Sequence, residues 1–203
     1  MRTACLLQTD LLLFHISLSE KFRIVHDFES KWSDIVKRIW VLNHYAMPPE
    51  LGPMVRHYKF GKQLVSRGYN VKIISSSAIH NTNINMINDS SRILEIEYDK
   101  TPFIFIRTRS YFGNGKDRVM GMLEYAFRAF RHIEKLDLGK PDVIYASSAH
   151  PLTWLSGYFL AKRYNAKFIA ETRDLWPETL VAMGRIEKKS VPARILYHIY
   201  KSG

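Results

Sequence analysis

Apolar residues recur along this chain at two different periods, and the element changes where the period does. From Ile39 to Asn43 the chain reads IWVLN, a short run of four apolar residues ending in Asn43, of the kind that forms a strand buried on both faces. A Pro-rich loop, HYAMPPELGP, follows, and Pro48, Pro49 and Pro53 forbid helix before about Met54. Met54 to Arg67 then repeats at helical spacing, with Met54, Tyr58, Gly61 and Val65 on one face and Gly68 as the stop. Strands are expected at Val71–Ser75, Ile93–Tyr98 and Phe103–Ile106, with a Ser- and Asn-rich loop over 76–91.

The clearest helical pattern runs from Asp117 to Leu136. Val119, Met122, Leu123, Ala126, Phe127, Phe130 and Ile133 form one apolar stripe, expected to face the core, and Arg118, Tyr125, Arg128, His132 and Lys135 line the other side. Gly139 and Pro141 end it. A strand at Asp142–Ala146 precedes a helix from about Pro151 to Tyr164, with Trp154, Leu155, Tyr158 and Phe159 inward. A strand at Lys167–Ala170 and a last helix from Pro192 to Lys201 complete the series. Strands alternating with helices of this length predict an α/β fold, a Rossmann-like doubly wound and mostly parallel sheet.

The first 35 residues share none of this rhythm, so the chain divides into an N-terminal extension over 1–35, spurious or poorly ordered, and a domain over 36–203, with Val36 as a candidate true start. Within the 203 residues, 30 basic side chains face 19 acidic ones, a net charge of +11. All of the excess lies after residue 35. Such a charge points to a polyanionic partner. Nucleic acid is disfavoured, because no helix-turn-helix, RNP-like or zinc-ligand spacing is present. The basic residues fall mostly on helix faces, which suits peripheral contact with an anionic membrane. No run of 18 apolar residues exists to span one. A single cysteine, Cys5, excludes an internal disulfide and fits a cytoplasmic setting.

In an open parallel sheet, ligands bind beyond the carboxyl ends of the strands. Four loops follow strand ends: 43–53, 107–116, 147–151 and 171–179. The first ends in Gly52-Pro53 before a helix carrying Arg56, which suits a phosphate or sugar hydroxyl, or is simply a rigid proline turn. The second holds Arg107, Arg109, Lys116 and Arg118 around Gly113 and Gly115, a clamp for pyrophosphate or a solvated hairpin. The third places His150 after Ser148, able to meet a hydroxyl proton or to pack as a structural histidine. The fourth, ETRDLWPE, offers Arg173, Asp174 and Glu178, with Arg173 available to Glu171 and Asp174 or Glu178 available as a helix cap. No histidine stands at metal-ligand spacing and no G-x-G-x-x-G follows a strand, so neither metal nor NAD is expected.

Taken in order, HYAMPPELGPMVRHYKFGKQLVSRGYNVKIISSS, IRTRSYFGNGKDRVMGMLEYAFR, PDVIYASSAHPLT and KFIAETRDLWPETLVAMGRI resemble the N-terminal domain of family 4 glycosyltransferases, and within them the bacterial surface-polysaccharide enzymes of the WbuB-like group. The resemblance covers about residues 37–203 and is most specific in Ser-Ser-x-His-Pro-Leu-Thr and Arg-Asp-Leu-Trp-Pro-Glu. It implies the N-terminal lobe of a GT-B fold, mainly acceptor-binding, in an enzyme that transfers a sugar from a nucleotide-sugar donor with retention and without an essential metal or cofactor. It places Gly52 near the donor phosphates, His150 near the transferred sugar, and Asp174 and Glu178 in an acidic segment facing the cleft. The implied acceptor is a lipid-linked sugar at the inner membrane face. A donor-binding second domain with paired glutamates is expected and not found in this chain, so the chain is expected to be inactive alone. The alternative is a non-catalytic module that binds a partner chain or an anionic ligand.

Overall fold

The computed structural model describes residues 38–113, 115–133, 136–148, 150–173, 177–184 and 186–201. The expectation for residues 1–35 lies outside the described residues.

Six strands form one sheet: β1 (Arg38–Leu42), β2 (Asn70–Ser76), β3 (Ile93–Tyr98), β4 (Thr101–Ile106), β5 (Val143–Ser148) and β6 (Lys167–Thr172). Their order in space is β3-β4-β2-β1-β5-β6. The pairs β1–β2, β1–β5, β2–β4 and β5–β6 are parallel, and β3 alone runs antiparallel on the β4 edge. The mostly parallel, doubly wound sheet is therefore as expected, with one edge hairpin that the periodicity does not signal. The hairpin turns on Asp99 and Lys100 at φ 47° and 62°, both left-handed, the geometry of a two-residue type I′ loop. Neither residue is glycine, and Asp99 gains an ion pair with Lys62.

Helix α1 (Arg56–Ser66) packs on β2 and β4, while α2 (Lys116–His132) and α3 (Leu152–Tyr164) pack against each other. Two short helices follow, α4 (Glu178–Ala182) and α5 (Val191–Lys201). Successive strand residues point to opposite faces, so Trp40, Leu42, Ile74, Ile104, Ile144 and Ala146 join Tyr125 and Ala129 of α2, Ile133 at its C-terminal cap and Leu160 of α3 in one core. Ile73 and Thr101 face the other way, against Gly61 of α1.

Two expectations about helix faces are corrected. In α2, Tyr125 is fully buried, and Val119, Leu123 and Phe127 are exposed. Two stripes at helical spacing compete there. The one that wins combines Met122, Tyr125, Ala129 and Ile133, because the Tyr125 hydroxyl reaches the Ile74 carbonyl at 2.7 Å and so enters the core with its polar group satisfied. In α3, Tyr158 and Phe159 are exposed, and the inward positions go to the small residues Thr153, Ser156, Gly157 and Ala161 with Leu160. Gly157 sets how closely α3 lies on the sheet, since a Cβ there would stand 2.8 Å from the Ala146 Cβ and 3.1 Å from the Phe168 ring.

Candidate functional site

The strand order reverses between β1 and β5. From β1 the chain moves outward through α1 to β2 and β4, then returns along α2 to the other side of β1, at β5. At such a switch point the two following loops diverge, which opens a crevice at the carboxyl ends of the strands. The expected loops all leave from that edge, because β1, β4, β5 and β6 run parallel.

The β1 loop begins with Asn43, which ties the two central strands together. Its Nδ2 donates to the Ser147 carbonyl of β5 at 2.6 Å, and its Oδ1 accepts from the Tyr45 amide at 2.9 Å. That turn holds His44 and Tyr45 against the loop after β5. His44 meets His150 of the β5 loop edge to face, with ring centroids 5.5 Å apart, and Tyr45 meets His150 at 6.0 Å. His80, from the loop after β2, packs on Tyr45 at 4.7 Å and shares a 2.7 Å hydrogen bond between its Nδ1 and the Tyr111 hydroxyl. Arg118, in the first turn of α2, donates from Nε to the Tyr45 hydroxyl at 3.2 Å and lies 5.4 Å from the centre of that ring. Three histidines, two tyrosines and an arginine thus pack against one another at the switch point, with His44, Tyr45 and His150 almost fully withdrawn from solvent.

The histidines here are neutral. Burial, with the Arg118 charge behind it, pulls His150 down to about 3. Burial also carries His44 well below the ordinary 6.5, assisted by His150, His80 and Arg118. His80 is lowered by burial and by Arg118. Neutral imidazoles are weak bases at these values. They retain one donor and one acceptor each, the pattern a sugar hydroxyl needs. Among the described residues, neither ring nitrogen of His44 has a hydrogen-bond partner.

A second cluster adjoins the first through Ser147. Glu171, at the end of β6, forms an ion pair with Arg56 and accepts a hydrogen bond from the Ser147 hydroxyl. Burial pushes its carboxyl up, but hydrogen bonds from Ser147 and Tyr145 and the charge of Arg56 outweigh that, and the net direction is down. Tyr145 is correspondingly pushed up to about 12 by burial and by the carboxylate. His57, one residue into α1, is buried with Nε2 3.9 Å from Glu171 Oε2. Burial and the Arg173 charge hold it at about 4 against the pull of Glu171.

The residues singled out by the sequence distribute unevenly around this edge. His150 lies in the crevice. Arg56 reaches Glu171, the partner expected for Arg173, while Arg173 is exposed and acts on His57 through its charge. Gly52 takes φ 148°, and a Cβ there would stand 2.8 Å from Met47 Sδ, so this position excludes other residues whatever ligand it meets. Arg109 is held by two carboxylates, Glu124 at 3.0 Å and Asp117 at 3.1 Å, and Arg107 donates to the Ser91 carbonyl at 3.4 Å. Both line an open polar groove of about 340 Å³ with Asn85, Asn88 and Arg128. Of the basic loop, it is Arg118 that enters the crevice. Ser148 ends β5 opposite Thr172, and its side chain is outside the described residues, as is all of Asp174. Glu178 opens α4, whose N-cap residue Pro177 makes no side-chain cap hydrogen bond, and accepts a 2.7 Å hydrogen bond from Tyr197 of α5.

His44, Tyr45, His80 and Tyr111 are crevice residues that no sequence motif marks. His44-Tyr45 directly follows the first buried strand, and that position is a signal, because the loop after β1 borders the switch point of this strand order.

The class that the fold defines is a doubly wound, mostly parallel α/β domain with a cluster of histidine and tyrosine side chains at its switch point. No protein-family model matches the chain, and no curated protein does. Among solved structures it is similar to the catalytic domain of starch synthase IV from Arabidopsis thaliana, bound there to ADP and acarbose, at 14% identity and a TM-score of 0.46. The match covers 66% of this chain and 33% of that one, so the chain spans about a third of that structure's length. The fold assignment rests on the sheet order itself.

Proposed function

We propose that this chain is the N-terminal, mainly acceptor-binding lobe of a retaining glycosyltransferase of the GT-B type, acting in cell-surface polysaccharide synthesis as the bacterial surface-polysaccharide group does. The observation that carries the reading is the side-chain cluster between the loops after β1 and β5, where neutral His44 and His150 stand against Tyr45 with Arg118 at its edge. Uncharged imidazoles exchange hydrogen bonds with sugar hydroxyls, and among the described residues neither ring nitrogen of His44 has a partner. A guanidinium at the rim matches the phosphate of a lipid-linked acceptor.

On this reading the chain's own residues bind and orient the acceptor. His150 and His44 hold hydroxyls of the acceptor sugar, Arg118 meets its pyrophosphate, and the crevice walls exclude water from the acceptor oxygen. The nucleotide-sugar donor is held chiefly by a second Rossmann-like lobe across the cleft, which also stabilises the charge that develops on the leaving phosphate.

The test is a calorimetric titration of the chain with a short-chain polyprenyl-pyrophosphate sugar and, separately, with a nucleotide-sugar. Saturable acceptor binding that weakens about tenfold in His44→Ala, with far weaker donor binding, is expected. A chain that ignores the acceptor yet binds simple polyanions is the non-catalytic module instead.

A further inference from the structure

We propose that the outer face of α2 and α3 docks on an anionic lipid surface. Val119, Leu123 and Phe127 follow one another at single-turn spacing along α2 and are 53%, 45% and 67% exposed. Phe130 extends the stripe and meets Phe159 of α3, itself 51% exposed, with ring centroids 6.1 Å apart. The two helices therefore present one continuous apolar strip to solvent. A soluble domain leaves single apolar side chains exposed without consequence, whereas a strip shared by two helices marks a surface that meets something.

Charge says what that something is. Lys116 and Arg131 lie on the same side of α2 at the two ends of the strip, and Lys162 and Arg163 border it on α3. The Arg163 guanidinium lies over the Phe130 ring, 4.2 Å from its centroid, and the Lys162 ammonium over the Tyr158 ring at 4.9 Å, so both cations rest directly on aromatic rings of this face. The acidic residues on the flank of α2, Asp117 and Glu124, are both engaged by Arg109. An apolar strip edged by cations, in a chain of net charge +11, is the pattern of an interfacial helix lying flat among anionic headgroups. Among the described residues, no helix is long and apolar enough to cross a membrane.

Arg118, whose guanidinium reaches Tyr45, lies on the other side of α2 from the strip. Docking would bring the chain to the lipid surface, where a lipid-linked acceptor resides. This deepens the proposed function, and its biological sense rests on that reading, but the physical contact is tested without any sugar.

The test is sedimentation with vesicles of phosphatidylcholine alone and with about one third phosphatidylglycerol. The chain is expected on the anionic vesicles, partly released by salt, and about tenfold less bound in the double variant Leu123→Ser/Phe127→Ser. In a second measurement, Phe127→Trp adds an indole to the strip, and lipids brominated on their acyl chains should quench the emission it adds over the parent chain. Equal binding to both vesicle types would overturn the proposal. So would a double variant that binds like the parent, or added indole emission that brominated lipids leave untouched. A self-association removed by the same double substitution, with vesicle binding intact, would assign the strip to a second copy of this chain and equally end the proposal. Loss of vesicle binding would leave acceptor binding at the crevice standing, and loss of acceptor binding would leave the docking face standing.

Discussion

His44 and His150 meet edge to face across the gap where the sheet reverses its strand order, with ring centroids 5.5 Å apart and an interplanar angle of 78°. Both side chains are almost fully withdrawn from solvent. The contact joins the loops after β1 and β5, far apart in sequence, so it exists only once the parallel sheet has formed. Two imidazoles in such contact cannot both be charged, and their depressed proton affinity carries a stability consequence.

Folded stability should decline as pH falls below about 6.5. Above that value the histidines are neutral in both states and contribute no pH dependence. Below it the unfolded chain takes protons that His150, held at about 3, and His57, held at about 4, refuse in the fold. The unfolded state then binds more protons, and each such group removes about 1.4 kcal/mol per pH unit until its folded value is reached. Urea unfolding at about pH 7.5, 6.5 and 5.5 measures the slope. His150→Asn should flatten it, and an unchanged slope in that variant would show that His150 is not the group responsible.

Gly157→Ala tests the closeness of α3 to the sheet. In an exposed helix this change stabilises by about 1 kcal/mol through helix propensity. Here the new Cβ would stand 2.8 Å from the Ala146 Cβ, and overpacking costs about 1–3 kcal/mol. The clash involves a methyl fixed on a central strand and should win, so net destabilisation is expected in denaturant titrations. A stabilised variant would mean that α3 moves away freely.

Arg56 and Glu171 form one ion pair but should respond unequally to substitution. Arg56 is more than half exposed, so Arg56→Ala removes a solvent-screened interaction and should change stability by less than about 0.5 kcal/mol. Glu171→Ala also strips the acceptor from Ser147 and from Tyr145, and should cost about 1–2 kcal/mol. Equal losses in a paired denaturation experiment would contradict this ordering.

Tyr125→Phe isolates the hydrogen bond that turns α2. The ring remains and only the hydroxyl leaves, so the lost contact with the Ile74 carbonyl should cost about 1 kcal/mol. The carbonyl is not stranded, because the Asn43 amide also donates to it at 3.1 Å, and the loss measured by urea unfolding should stay below about 2 kcal/mol.

Much of the fold is legible in the apolar pattern because parallel strands must bury both faces. Ile39–Leu42, Val71–Ile74 and Val143–Ala146 announce themselves as largely apolar runs. The antiparallel β3 edge is not legible, because its turn, Asp99-Lys100, lacks the glycine that usually marks a left-handed hairpin loop. The face of α2 is misread for a related reason. Tyr125 counts as polar in a pattern, yet its hydroxyl finds a carbonyl and its ring then outweighs the exposed Val119 and Phe127. At the crevice, a histidine inside a motif, His150, is visible, while His44 and His80 become partners only through sheet topology. Charge alone cannot tell Arg109, neutralised by Glu124 and Asp117, from Arg118, which faces the crevice.

The most direct test of the central claim is imidazole-detected NMR, in which the ring nitrogens of each histidine report separately. A short-chain polyprenyl-pyrophosphate sugar titrated into the chain should shift the His44, His80 and His150 rings together and saturably, and leave His198 of α5 unmoved. Shifts confined to His57 or His198, with the three crevice rings silent, would contradict the assignment of the acceptor to the gap between β1 and β5.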